Sequence, residues 1–163
     1  MRTLLILRHG AAVREGAGSD HERALTADGA REAEQMGQLL RDEQLVPDAI
    51  LSSNALRARQ TAQRVARACR CERSVADLAE LYLAEPDAYI TALKRVAGDA
   101  ERVLVVGHNP GLEALALLLT GTPVSLPTAG LAVCALPISN FSELSLAVTG
   151  ELSRFERPRN LAD

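Results

Sequence analysis

Apolar residues follow two kinds of pattern along the chain, short continuous runs and recurrences at three- or four-residue spacing. The continuous runs are Leu4 to Leu7 and Val103 to Val106. Uninterrupted apolar runs of this length are typical of strands that are buried on both faces of a sheet. Three further strands are predicted at 49–52, 131–136 and 143–148.

The recurrences at helical spacing lie between these strands. Thr26 is placed to cap a first helix, with Asp28 in its first turn, and the apolar positions of this helix continue to about residue 43. Asn54 is placed to cap a second helix, which continues to about Cys69. Two more helices are predicted at 87–96, after an irregular segment at 74–86, and at 112–119, with Pro110 in the first turn.

Strands that alternate with helices indicate an α/β protein. We therefore predict a three-layer α/β/α sandwich with a mainly parallel central sheet. The chain has 163 residues, a length that fits one domain, so this single domain is expected to span residues 1–163. The charged, proline-containing tail at 154–163 is predicted to be loose. In sheets of this kind, ligands bind at the carboxyl ends of the strands.

Composition and charge argue against several classes of function. Apolar residues make up 47% of the chain and aromatic residues only 2%, so a sizeable core must be built from Ala, Leu and Val. The formal net charge of −3 gives no reason to expect a nucleic-acid partner. The N-terminal apolar run soon meets a charged pair, and no stretch approaches the roughly 20 apolar residues of a membrane span. We therefore expect neither a signal peptide nor a membrane partner.

Cysteine usage and the absence of familiar motifs narrow the choice further. The three cysteines are an odd number, and Cys69 and Cys71 are too close in sequence for an ordinary disulfide. No second cluster of Cys and His completes a zinc site. A soluble, cytoplasmic protein is therefore expected. The chain also contains no Walker-type loop, no G-x-S-x-G elbow and no dinucleotide-binding G-x-G-x-x-G.

Two of the three histidines directly follow predicted strands. L-L-I-L-R-H-G places Arg8 and His9 at the end of the first strand, and V-L-V-V-G-H-N-P places His108 at the end of another. The strand at 49–52 is followed by a helix with Arg57 in its first turn. If these strands are neighbours, two imidazoles and two guanidiniums meet in one crevice, beside helix N-termini that favour an anion.

Such a crevice suits a phosphoryl group. Two guanidiniums neutralise its charge and hold its equatorial oxygens, which leaves phosphorus open to in-line attack. A neutral His9 is a competent nucleophile, because an unperturbed imidazole, with a pKa of roughly 6.5, keeps a lone pair at neutral pH. His108, if protonated, can donate to a phosphoryl oxygen as charge builds up. His21 lies in a charged loop and is predicted to be exposed and uninvolved.

Four segments of the chain together resemble the motifs of a known family, the histidine phosphatase superfamily (phosphoglycerate-mutase-like). They are R-H-G at 8–10, E-R-A-L-T-A-D-G at 22–29, S-S-N-A-L-R-A-R-Q-T-A at 52–62 and G-H-N-P-G-L at 107–112. Their order and spacing are similar to those of the short SixA-type branch, the phosphohistidine phosphatases. The resemblance implies that His9 becomes a phosphohistidine intermediate and that Arg8, Arg57 and His108 complete the phosphate pocket. It implies Arg23 as a further contributor from the loop.

One departure from the family pattern concerns the proton donor. Larger members supply a carboxylic acid from a segment between the Arg57 helix and the last histidine. The candidate here is Glu80 in D-L-A-E-L-Y, but the surrounding motif of those larger members is absent. An alkoxide leaving group needs that proton, whereas a protonated imidazole leaves phosphorus without it. The departure therefore favours phosphohistidine as the substrate.

We therefore predict a metal-independent phosphatase, with no cofactor, that works by double displacement through His9. Its preferred substrate is phosphohistidine in a partner protein. One alternative is a phosphomonoesterase that acts on a small phosphorylated metabolite, with Glu80 as the acid. The other is a non-catalytic module whose pocket binds phosphorylated partners.

Overall fold

Six strands form one sheet in the computed structural model, which describes residues 1–14, 16 and 18–159. The strands are β1 (Arg2–Arg8), β2 (Ala49–Ser53), β3 (Val75–Leu78), β4 (Arg102–Gly107), β5 (Leu131–Leu136) and β6 (Glu151–Glu156). Their order across the sheet is β3-β2-β4-β1-β5-β6. The four strands from β3 to β1 are parallel, whereas β5 pairs antiparallel with β1 and β6 antiparallel with β5. The predicted α/β fold with a mainly parallel sheet is confirmed.

Four α-helices accompany these strands in the described part of the chain. They are α1 (Ala27–Asp42), α2 (Leu56–Cys69), α3 (Pro86–Val96) and α4 (Gly111–Thr120). The start of α1 is as predicted, because the Thr26 hydroxyl accepts a hydrogen bond from the Gly29 amide. The start of α2 differs from the prediction, since its N-cap is Ala55 and not Asn54. The amide oxygen of Asn54 instead bonds to His21.

The core lies in two layers on opposite faces of the sheet. Neighbouring residues of β1 alternate between these layers, with Leu5 and Leu7 against α1 and α2, and Leu4 and Ile6 against α3 and α4. This alternation follows from the two-residue repeat of a strand, and it explains why the apolar run of β1 is continuous. The layers are built mostly from Leu, Ala and Val, as the composition predicted.

The last quarter of the chain differs from the prediction. No strand forms at 143–148, because Phe141–Glu143 is a 3-10 helix that Asn140 and Glu143 cap reciprocally. The final strand is β6, so residues 154–156 of the predicted loose tail are ordered at the sheet edge. There the half-buried Arg154 pairs with Glu43 and Glu156. Because an edge strand tolerates such charged residues, its sequence is similar to that of a loose charged tail. Residues 160–163 of that tail lie outside the described residues.

Two other expectations concern the segment 74–86 and the membrane. The segment was predicted to be irregular, but it contains β3 and a 3-10 turn at Ala79–Leu81. None of the helices that the structure describes is both long and apolar enough to cross a membrane. The cytoplasmic location and the single domain over the full chain stay predictions.

The topology brings three strand ends to one edge of the sheet. β4 lies between β2 and β1, and its last residue, Gly107, pairs with Arg8 at the end of β1. On its other side, Val106 pairs with Ser52 near the end of β2. The residues that follow β1, β2 and β4 therefore meet at the carboxyl edge, where parallel sheets bind their ligands.

Candidate active site

The side chain of His9 enters this edge directly after β1 and is only 8% exposed. Its Nδ1 lies 2.7 Å from the carbonyl oxygen of Gly10. Because a carbonyl only accepts, Nδ1 carries the ring proton and Nε2 keeps the lone pair. Burial, assisted by the positive charges of Arg57 and Arg8, lowers the pKa of His9 to about 4. At neutral pH the ring is therefore neutral, with its lone pair on Nε2.

The glycine of R-H-G is required by close packing between β1 and the helices. A Cβ at Gly10 would lie 2.6 Å from the carbonyl oxygen of Gly29. The Gly10 amide donates to the Thr61 hydroxyl at 3.0 Å, and that hydroxyl donates to the Arg57 carbonyl at 2.7 Å. Thr61 thus links the chain after His9 to the first turn of α2, which fixes the spacing between His9 and Arg57.

His108 follows β4 and faces His9, with 5.2 Å between the ring centroids. Its Nε2 lies 2.8 Å from the hydroxyl oxygen of Ser53. That oxygen accepts the Ala55 amide. Among the described residues the Ser53 hydroxyl proton has no acceptor other than Nε2 of His108, and its donation to Nε2 leaves the imidazole proton on Nδ1. Burial first, and then the nearby His9 and Arg57, lower the pKa of His108 to about 3. A neutral His108 can therefore donate through Nδ1, so donation does not require the doubly protonated ring; the role of His108 in the reaction stays a prediction.

The Nε atoms of Arg8 and Arg57 are buried. Arg8 donates through Nη1 to the Leu126 carbonyl at 3.1 Å, and the side chain of Arg57 is only 3% exposed. The Nε atoms of both arginines and Nδ1 of His108 are buried and have no hydrogen-bond partner among the described residues. A buried donor without a partner costs about 1–3 kcal/mol. Nε of Arg2 and Arg59 and Oδ1 of Asn109 are in the same condition. What indicates a site for an anion is that the unpartnered donors on Arg8 and Arg57 belong to guanidiniums whose positive charges act on His9.

Two residues that the sequence analysis did not single out, Asp20 and Tyr82, complete one wall of the site. Asp20 Oδ1 accepts from Nε and Nη2 of Arg23, at 3.0 and 2.9 Å. Asp20 Oδ2 accepts from Arg57 Nη2 at 3.1 Å and from the Tyr82 hydroxyl. The bond from Tyr82, followed by those from the two arginines, holds the pKa of Asp20 far below its usual range. The sequence held one weak signal, an acidic residue three positions before Arg23.

The predicted contributor Arg23 lies at the margin of this wall. Its Nη1 donates to the carbonyl of Val13 at 2.7 Å, while its other nitrogens bind Asp20. Its charge is near enough to lower the pKa of His9. Arg23 therefore adds positive potential to the site and holds the loop, whereas its polar contacts within the described residues are to protein oxygens.

The expectation that His21 is exposed is wrong, because the residue is half-buried, whereas the expectation that it takes no part in the reaction stays a prediction. Its Nε2 lies 2.7 Å from the amide oxygen of Asn54, and its ring packs edge-to-face against Tyr82, with 4.8 Å between centroids. Tyr82 in turn packs against the ring of His108, at 5.6 Å. The flanking charges of the loop suggested solvent exposure. The 3-10 turn at Asp20–Glu22 instead folds back against α2.

Glu80 does not have the surroundings that a general acid needs. It is exposed and forms an ion pair with Arg95 of α3. A hydrogen bond from its own backbone amide, and then the bond from Arg95, lower its pKa, whereas a general acid needs a raised one. The residue of this segment that reaches the site is Tyr82, whose ring lies 6.0 Å from the guanidinium carbon of Arg57. Among the described residues, no group of three or more His, Cys, Asp or Glu side chains could hold a metal ion.

Comparison with known proteins agrees with this geometry. Residues 4–85 match the family model of the histidine phosphatase superfamily (branch 1). The uncharacterized protein Rv1276c of Mycobacterium tuberculosis is 36% identical over an alignment of 141 residues, and the match covers 78% of this chain and 85% of that protein. A crystal structure from Agrobacterium tumefaciens, assigned as the phosphohistidine phosphatase SixA, is 32% identical with a TM-score of 0.80, over 96% of this chain and 98% of that one.

A second solved structure has a bound anion. It is the protein histidine phosphatase SixA in complex with tungstate, which is 28% identical to this chain with a TM-score of 0.79. The match covers 96% of this chain and 97% of that chain. The family model spans half of the chain, and both SixA structures span nearly all of it. The chain therefore belongs to the histidine phosphatase superfamily, in its SixA-type branch, and is a phosphatase.

Proposed function

We propose that the chain removes the phosphoryl group from phosphohistidine in a partner protein, with His9 as the nucleophile. The observation that carries this proposal is the arrangement around His9. Arg8, Arg57 and His108 each have a buried nitrogen without a partner among the described residues. The ring of His108 faces His9 and the two arginine charges act on it, while the neutral imidazole of His9 keeps its lone pair on Nε2. A phosphoryl group supplies the acceptors that these donors lack, and it places phosphorus within reach of a nucleophile.

The first step transfers the phosphoryl group to the enzyme. Nε2 of His9 forms a bond to phosphorus while the bond from phosphorus to the substrate imidazole breaks. The leaving imidazole takes the electron pair and departs neutral if its second nitrogen already carries a proton. The phosphorylated His9 ring gains positive character, which the bond from its Nδ1–H to the Gly10 carbonyl stabilises.

The second step restores the enzyme. Water attacks phosphorus, the bond between phosphorus and Nε2 breaks, and the electron pair returns to Nε2. One proton of the water passes to phosphate or solvent. Arg8, Arg57 and His108 hold the equatorial oxygens in both steps, so that the developing charge meets donors that are already in place.

The substrate class follows from the proton balance. An alkyl phosphate needs an acid beside the leaving oxygen, but Glu80 is ionised and paired with Arg95. Asp20 is ionised as well, and its oxygens accept four hydrogen bonds. A phosphorus–nitrogen bond to a protonated imidazole breaks without this help. The similarity to the protein histidine phosphatase SixA supports a protein as the carrier of that group.

A trapping experiment tests the nucleophile. The enzyme is mixed briefly with a histidine peptide that has been radiolabelled with phosphoramidate, and the reaction is quenched in alkali. We expect acid-labile label on the wild-type chain and on His21→Asn, the matched histidine control, and none on His9→Ala. An unlabelled wild type that still binds inorganic phosphate would favour the phosphate-binding module instead.

A turnover comparison tests the substrate class. We expect the phosphohistidine peptide to be hydrolysed at least tenfold faster than serine phosphate, with the same rate in the presence of a chelator. Faster hydrolysis of the alkyl phosphate would favour the small-metabolite phosphomonoesterase. Loss of activity with the chelator would refute metal independence.

A further inference from the structure

We propose that Asp20 is a positioning residue of the phosphatase reaction. Its carboxylate and its backbone carbonyl hold the guanidinium of Arg57 so that the Nε–H of Arg57 faces the phosphoryl group. The inference rests on the proposed function, because it takes Arg57 as a residue that binds the phosphoryl oxygens. It adds a residue from the loop before α1 to a site that is otherwise built from strand and helix ends.

The geometry of Arg57 is the first argument. Its Nη1 donates to the carbonyl oxygen of Asp20 at 2.8 Å, and its Nη2 donates to Oδ2 of the same residue at 3.1 Å. A guanidinium is planar, so fixing both terminal nitrogens also fixes the direction of Nε–H. That Nε is buried and has no partner among the described residues. One residue thus engages both terminal nitrogens of Arg57, and Nε is the guanidinium nitrogen that has no protein acceptor among the described residues.

The saturation of the Asp20 carboxylate is the second argument. It accepts two hydrogen bonds on Oδ1 from Arg23, and two on Oδ2, from Arg57 and Tyr82. A carboxylate offers about four acceptor sites, so these donors occupy them all. Asp20 therefore has no acceptor site left for a substrate proton, and it acts on the reaction through Arg57.

The charge of Asp20 is the third argument. A pocket that only had to bind phosphate tightly would exclude a carboxylate from its wall, because a nearby negative charge weakens the attraction for an anion. Asp20 partly neutralises Arg57 and Arg23. Its presence is explained if orientation of Arg57 in the transition state is worth more than affinity for the ground state. This explanation predicts opposite effects on turnover and on phosphate affinity.

The test measures these two quantities separately in Asp20→Ala and Asp20→Asn. The substrate is a histidine peptide phosphorylated with phosphoramidate, and the affinity probe is inorganic phosphate as a competitive inhibitor. We expect kcat to fall about 10–100-fold in Asp20→Ala, and less in Asp20→Asn, which keeps the shape. The inhibition constant of phosphate should stay unchanged or decrease in both variants. Glu34→Ala is the matched control, since Glu34 is an exposed carboxylate that also pairs with an arginine of α2, Arg64, and it should change neither quantity more than twofold.

Two results would overturn the inference. One is a kcat within twofold of the wild type in Asp20→Ala. The other is a weaker affinity for phosphate that falls in proportion to kcat, since this would mean that Asp20 only maintains the fold of the pocket. If Asp20→Ala does not fold, Asp20→Asn decides by the same criteria. These outcomes differ from a failure of the proposed function, in which the wild-type chain itself carries no label on His9.

Discussion

The site has two walls of different origin, and their comparison explains how the pocket is built. The first, the strand wall, consists of Arg8, which ends β1, and of His9 and His108, which follow β1 and β4; the backbone ladder between these two strands fixes their positions. The second, the loop wall, consists of Asp20 and Tyr82, which lie in or beside short 3-10 turns and are fixed by side-chain hydrogen bonds. Arg57, at the start of α2, donates to Asp20 in the loop wall, and Thr61 links its carbonyl to the Gly10 amide that follows the strand wall.

This difference in origin predicts different roles for the two walls in the reaction. The strand wall presents its donors and its nucleophile in positions that the sheet determines, so its residues act on the phosphoryl group directly. The loop wall contains ionised Asp20 and the phenol of Tyr82, which orient Arg57 and pack against His108. Substitution of a residue in the strand wall should therefore abolish phosphoryl transfer, whereas substitution of a residue in the loop wall should lower kcat without abolishing the reaction.

The largest effect is expected for Arg57→Lys, which keeps the charge and removes the fork of donors. Lysine cannot donate both to Asp20 and, through an Nε–H, to the ligand. We expect kcat/KM to fall at least about 100-fold, or about 2.7 kcal/mol of transition-state stabilisation. Steady-state kinetics with the phosphohistidine peptide measures this. A loss below fivefold would mean that charge alone, and not the fixed fork, is what the site uses.

A smaller effect concerns the pH dependence of stability, which reports on the strand wall. The pKa of His9 is about 4 in the folded chain and roughly 6.5 when unfolded, so below pH 6.5 the unfolded chain binds the proton first. Protonation of His9 in the unfolded chain therefore lowers the free energy of unfolding as the pH falls from about 6.5 towards 4, whereas above pH 6.5 His9 is neutral in both states and costs no stability. Between pH 7 and pH 5 the loss from His9 is about 2 kcal/mol.

Urea unfolding at pH 7 and pH 5, in a phosphate-free buffer, measures this loss. The free energy of unfolding should fall by about 2 kcal/mol less in His9→Asn than in the wild type. His108, whose pKa is about 3, contributes in the same direction and is present in both proteins. Equal losses in the two proteins would mean that His9 is not held neutral by its burial.

A modest effect is expected when the loop wall is loosened by Tyr82→Phe. The change removes the hydroxyl that donates to Asp20 Oδ2 and keeps the ring against His108. We expect kcat to fall about three- to tenfold. In a double-mutant cycle with Asp20→Asn the two effects should be less than additive, since both act on one hydrogen-bond network. Full additivity would place Tyr82 and Asp20 in separate roles.

The smallest effect is expected for Glu80→Gln. Glu80 is exposed and paired with Arg95, so its loss should leave the hydrolysis of the phosphohistidine peptide within twofold of the wild type. The same variant is assayed with an alkyl phosphate. A fall of tenfold or more in that reaction would make Glu80 a proton donor and would restore the small-metabolite alternative.

The two walls also differ in how far the sequence reveals them. His9 and His108 each end a continuous apolar run, and the rule that ligands bind at the carboxyl ends of parallel strands was enough to place them together. Asp20 and Tyr82 lie 62 positions apart in irregular segments, and their meeting depends on how both segments fold against α2. Neither periodicity nor spacing encodes such a contact.

Three smaller errors of the sequence analysis, at Asn54, at Glu80 and in the tail, also arise from contacts between residues that the local sequence does not reveal. Asn54 has the chemistry of a cap, but its oxygen bonds to His21, and α2 begins without a side-chain cap. Glu80 and Tyr82 are two residues apart; Glu80 lies within the 3-10 turn at Ala79–Leu81 and Tyr82 directly follows it, so the two side chains reach different surroundings. The charges of β6 suggested a tail because the partner of Arg154, Glu43, is distant in sequence.

The central claim is that Nε2 of His9 accepts the phosphoryl group, and identifying the phosphorylated atom tests it most directly. The phosphoenzyme is trapped in alkali, digested, and its phosphohistidine is identified by NMR. Because Nδ1 of His9 donates to the Gly10 carbonyl, the account predicts the phosphoryl group on Nε2 of His9. Phosphate on Nδ1 of His9, or on His108, would contradict it.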